Sequence, residues 1–126
     1  MSQLGHLWTI TVFIEGGVAR FDPPPGKQGY QFAKNARRGV IVFSLASDDY
    51  RFSGCTYLPV KGDQPGVEAR WGHATRNANE LVVTFTYPEG VIHDGHLRLE
   101  YTHRSDKHTH VIDPQVGNDG QTGGGF

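Results

Sequence analysis

Three histidines near the end of the chain carry the sharpest chemical possibility. His108-Thr109-His110 puts two imidazoles two residues apart, so on a strand they share a face. His103 precedes them across the short link Arg104-Ser105-Asp106-Lys107. A two- or four-residue loop sets His103 opposite His108, Tyr101 opposite His110 and Leu99 opposite Ile112, with the third imidazole about 5 Å away across the hairpin. Three neutral imidazoles around one zinc ion leave a fourth position for water, which zinc can convert to hydroxide near neutral pH. A three-residue loop would slip the pairing by one and send His108 and His110 to the other face. Zinc is therefore a candidate cofactor whose site rests on the turn. His93 and His96 do not join it: at about 3.3 Å per residue, His96 lies roughly 23 Å from His103 along a strand. His93-Asp94-Gly95-His96 is expected to be a turn with exposed imidazoles.

A second candidate lies between Lys27 and Gly39, where Lys27, Lys34, Arg37 and Arg38 surround Tyr30 and Phe32 without an acidic residue among them. Single-stranded nucleic acid is held by such a combination, with bases stacking on rings while cations neutralise phosphates. Tyr30, Phe32, Lys34, Arg37 and Arg38 are thus the residues of a candidate RNA or single-stranded DNA surface. The opposing arrangement has both rings turned into the core and the cations solvated. Burial of Tyr30 and Phe32 decides between them.

Other chemistries are poorly represented. No paired-carboxylate, nucleophile-base or phosphate-loop pattern has meaningful spacing. Cys55 is the only cysteine, which rules out an intrachain disulfide and a cysteine zinc cluster, and its mid-strand place suits a small apolar filler. With a formal net charge of −1, the whole molecule has no bulk attraction for polyanions, so an electrostatic partner must read a local patch. No apolar run approaches the roughly 18 residues of a membrane span, and the first residues lack a basic leader followed by a long apolar stretch, so a cytoplasmic location is expected.

The elements that must position these residues are strands. Trp8 to Ile14 alternates with period two, and Val18 to Phe21 resumes the pattern after Gly16-Gly17. Asp22-Pro23-Pro24-Pro25-Gly26 interrupts it as a stiff connection. Val40 to Leu45 is a nearly continuous apolar run, the signature of a central strand covered on both faces. Tyr50 to Leu58, Val67 to Trp71, Leu81 to Tyr87, Leu97 to Arg104 and His108 to Ile112 follow, separated by Gly, Pro, Asn and Asp turns. Asp113-Pro114 is expected to close the last strand.

These patterns imply one all-β domain over residues 1–113 and a glycine-rich C-terminal tail over 114–126. Seven to eight short strands suggest an antiparallel β-sandwich of immunoglobulin-like architecture, with a small partly open β-barrel as the alternative. Function is expected to be that of a non-catalytic binding or assembly module. A homo-oligomer would protect the edge strands, and the tail could cover one of them.

Overall fold

The computed structural model describes residues 6–59, 66–89 and 92–120. They form an all-β structure of ten strands in two mixed sheets that do not close into a barrel. The first sheet has the order β2-β1-β4-β7-β6, from β1 (Leu7–Glu15), β2 (Val18–Asp22), β4 (Arg38–Leu45), β6 (Glu68–His73) and β7 (Glu80–Thr86). The second has the order β3-β10-β8-β5, from β3 (Tyr30–Gln31), β5 (Tyr50–Pro59), β8 (Asp94–His103) and β10 (Gln115–Gly117). A further strand, β9 (Thr109–Ile112), also pairs with β8.

The wholly antiparallel arrangement expected from the strand patterns is corrected at two places. β1 and β4 run parallel with Trp8 beside Ile41, and β3 and β10 run parallel with Tyr30 beside Val116. The cause is the connection between β2 and β4. After the β1–β2 hairpin, which turns on Gly16 and Gly17 at φ 59° and 81°, the proline-rich segment carries the chain across to the second sheet as β3. It then returns to the far side of β1, and a connection of this length permits parallel pairing where a hairpin does not.

Alternation along β4 puts Gly39, Ile41, Phe43 and Leu45 inward. With Ile10 and Val12 of β1 and Leu81, Val83 and Phe85 of β7 they form one wall of the core. Phe52, Leu97, Leu99, Tyr101 and Val116 form the other. Burying each such side chain contributes roughly 1.5–3 kcal/mol. Ring contacts link the sheets directly: Trp8 meets Tyr30 at 5.0 Å and Tyr57 meets Phe85 at 5.7 Å between centroids.

The end of the described chain is integral to this core. β9 pairs with the second half of β8, with Leu99 opposite Ile112, and β10 pairs with the first half, with Gln115 opposite His96. Asp113-Pro114 ends β9 as expected, but β9 is not the last strand, and Leu97 N–H still reaches Pro114 O at 2.9 Å. Gln115–Gly117, read from the sequence as the start of the tail, is β10, and Val116 is fully buried. Residues 121–126 lie outside the described residues, as do 60–65 of the expected loop.

The turn expected at His93 to His96 is also corrected. Asp94, Gly95 and His96 are the first residues of β8, paired to β5 and β10. Gly95 serves close packing instead of a turn: a Cβ there would come within 2.4 Å of the Tyr57 ring.

Candidate functional site

The β8–β9 hairpin has the four-residue link Arg104 to Lys107, with Lys107 at φ 63°. Its N–H donates to His103 O at 3.0 Å, and His103 N–H donates to His108 O at 2.9 Å. Tyr101 stands opposite His110 and Leu99 opposite Ile112, the register expected for an even-numbered loop. His108 and His110 approach to 5.3 Å between ring centroids. His110 stacks on Tyr101 at 5.2 Å, and His103 meets the edge of Tyr50 at 5.0 Å.

Ring nitrogen geometry shows what this cluster can do. The backbone N–H groups of Ser105 and Asp106 point at His103 Nδ1 from 3.2 and 3.4 Å. The Asp106 carboxylate lies 3.5 Å from the same nitrogen, so Nδ1 is engaged inside the turn, whether by the backbone N–H groups or by the carboxylate. Asp106 Oδ1 accepts from His108 N–H at 2.8 Å, the main reason its carboxyl lies below the usual range, with the three imidazoles adding to the effect. Among the described residues, no group of three or more His, Cys, Asp or Glu side chains is placed to hold a metal ion. The hairpin instead joins imidazoles to the aromatic end of the core. Tyr50, opposite His103 on β5, has no mark in the sequence; only the β5–β8 pairing identifies it.

The basic-aromatic segment separates into two environments. Tyr30 and Phe32 are both fully buried. Tyr30 OH donates to Pro23 O at 2.6 Å, and Phe32 packs on Phe85 and Tyr87 at 5.6 and 6.3 Å. Neither ring can present a face to a base, so the stacking half of the nucleic-acid reading fails on burial. Lys34, Arg37 and Arg38 remain exposed. Arg37 and Arg38, with His6, Ala33, Ala36 and Thr86, line a groove of about 720 Å³. Arg37 Nη1 lies 3.7 Å from Glu89 Oε1 in a largely exposed pair, a geometry that contributes little to stability.

At the opposite end of β8 from the hairpin, three buried polar groups have no hydrogen-bond partner among the described residues: Tyr57 OH, Tyr87 OH and the His93 imidazole, at both ring nitrogens. His93 is 6% exposed and faces Tyr87 at 6.4 Å, which corrects the expectation of an exposed imidazole. Its pKa is lowered, first by burial, with Asp94 opposing. The unfolded chain binds a proton at the ordinary value of 6.5 while the folded ring resists it. The stability contributed by neutral His93 is therefore full above that value and lost as pH falls from there through the lowered folded value. His93→Phe is expected to flatten the acid limb of a stability-versus-pH curve from urea unfolding; an unchanged slope would assign the acid sensitivity elsewhere. Burial similarly pushes the Cys55 thiol up to about 12, which leaves almost no thiolate at neutral pH.

The outer face of the first sheet mixes valines with threonines and has a charged residue at each end. Val40 and Val42 of β4 point outward beside Val82 of β7 and Leu7, Thr9 and Thr11 of β1, and no described strand lies over them. Leu7 is 41% exposed, and a Cβ on Gly72, opposite Val82 on β6, would meet nothing within 4 Å. Arg38 stands at one end of this face and Glu80 at the other, where Ser44 Oγ donates to Glu80 Oε2 at 3.2 Å.

No protein-family model matches the chain, and no curated protein shows significant similarity to it.

Proposed function

We propose that this protein is a non-catalytic assembly module whose two sheets form an immunoglobulin-like sandwich and which pairs with a second copy of itself through the outer face of the first sheet. The observation that carries this reading is β4. Its apolar residues alternate onto both faces, yet the described strands cover only the inner one, leaving Val40 and Val42 half-buried beside Val82 on the outer one. A strand apolar on both sides is the pattern of a sheet buried on both sides, and a contiguous apolar patch of this kind marks an interaction surface.

A second copy suits the distribution of charge. A two-fold axis near Val42 and Val82 would bring the Arg38 end of one face against the Glu80 end of the other, giving an isologous contact with opposite charges at its rim. Sedimentation velocity of the untagged protein over a wide concentration range is expected to show a monomer–dimer equilibrium. The double variant Val42→Lys/Val82→Lys is expected to be monomeric with an unchanged circular dichroism spectrum, since both side chains point away from the core. A monomeric wild type at every concentration, or a dimer that survives both lysines, would reject the proposal.

A further inference from the structure

We infer that the groove beside Arg37 and Arg38 binds the phosphoryl group of a small organic phosphate. Two arginines line one concavity, and among the described residues none that lines it is a carboxylate, Glu89 meeting Arg37 only as a largely exposed pair beside it. Arginine is suited to this task because its planar fork makes paired hydrogen bonds to phosphate oxygens, and two such cations match a phosphate dianion. Thr86 adds a hydroxyl, while Ala33 and Ala36 supply small apolar surface for the ligand's organic part. The volume of about 720 Å³ lies within the range of small-molecule sites.

The cationic corner is built rather than loose. Buried Asn118 donates from Nδ2 to Ala36 O at 3.0 Å, and its own carbonyl accepts Asn35 N–H at 3.0 Å. Asn35 sits at φ 61°, a left-handed conformation that asparagine tolerates better than most residues. Tyr87 N–H holds Arg37 O at 2.8 Å, and Arg38 is fixed opposite Thr86 in the β4–β7 ladder. Both arginine backbones are thus positioned by the core before any ligand arrives, which reduces the ordering that binding must supply.

Three observations favour a small phosphate over a nucleic-acid strand. The neighbouring rings of Tyr30 and Phe32 are in the core, so nothing in this segment stacks bases. Glu89 lies on Arg37 and would repel a polyanion continuing past the groove. The chain as a whole is slightly acidic.

Phenyl phosphate titrated into the untagged full chain, followed by amide and guanidinium NMR signals, tests the inference. Saturable shifts are expected at residues 33–38 and Thr86, with binding tighter than that of inorganic phosphate. Arg37→Ala and Arg38→Ala should each weaken it roughly tenfold, the effect of losing about 1.4 kcal/mol of charge-assisted hydrogen bonding. Both side chains are exposed, and an unchanged melting temperature verifies that each variant is folded. Absence of saturable shifts, or shifts that survive the double variant, would overturn the inference. Equal affinity for inorganic phosphate would overturn the organic part of it. A single-stranded oligonucleotide that binds with a steep salt dependence where phenyl phosphate does not bind would overturn it in favour of nucleic acid.

Discussion

Phe32→Ala is expected to lower the free energy of unfolding by about 3–5 kcal/mol, the usual cost of removing a fully buried aromatic ring. Domains of this kind are stable by only about 5–15 kcal/mol, so the loss is a large share of the total. Phe32 fills the space that Gly39 leaves open: a Cβ on Gly39 would lie 2.5 Å from two atoms of the Phe32 ring. The ring also spans to Phe85 and Tyr87. Truncation would leave a cavity between the two sheets that these neighbours, held in strands or by Arg37 O, can close only in part. Urea unfolding measures the effect, and Phe32→Leu should recover a substantial part of it. Arg38→Ala, close to Phe32 in the chain but exposed in the fold, should change stability by less than about 0.5 kcal/mol. A Phe32→Ala protein as stable as the wild type would remove Phe32 from the core and reopen its role as a stacking surface.

Gly117→Ala should cost about 3 kcal/mol and lower the melting temperature by roughly 10 °C. The reason is space. A Cβ at Gly117 would lie 2.1 Å from Asp94 Oδ1, 2.7 Å from the backbone oxygen of His93 and 2.8 Å from Gln31 Oε1. Asp94 could rotate, but its carboxylate accepts from Gln31 Nε2 at 3.3 Å, and Gln31 Oε1 in turn accepts Asp119 N–H at 2.9 Å. His93 O cannot move independently, because it accepts the N–H of Asn118 at 3.2 Å while His93 N–H donates to Asn118 Oδ1 at 2.8 Å. One methyl group would therefore strain the junction of β3, β8 and β10. A thermal melt with no shift would show that residues beyond Pro114 behave as a detachable tail.

Both predictions fall where local reading and tertiary structure part. Within one strand or hairpin, the sequence was informative. Alternation from Leu97 to Tyr101 and from Leu81 to Phe85 identified the inward faces, and the four residues between His103 and His108 allowed the observed register. The apolar run from Val40 to Leu45 marked a central strand, and β4 does lie in the middle of its sheet. Gln115–Gly117 was harder, since three residues after Asp-Pro in a glycine-rich context have no period of their own. Their strand state comes from β8 on one side and β3 on the other.

The candidate sites divide in the same way. Spacing put His108 and His110 on one face of a strand, while their sharing it with His103 rested on the turn, and the four-residue link Arg104 to Lys107 gives the even-numbered register. Which nitrogen of His103 was free to act depended on Ser105 and Asp106, and Tyr50 entered only through β5. For Lys27 to Gly39, composition identified aromatic rings and cations but not the direction of either. Tyr30 and Phe32 turned inward because β3 crosses to the second sheet, and Arg37 and Arg38 came together at a groove because β4 returns beside β1. The amino-acid sequence by itself determined an all-β chain and most of its strand faces, and it narrowed the hairpin to two registers, since each follows from contacts between near neighbours. Only the tertiary structure decided the parallel pairings, the buried place of the aromatic residues and the company kept by the arginines. Those depend on which distant strands share the limited interior of two sheets.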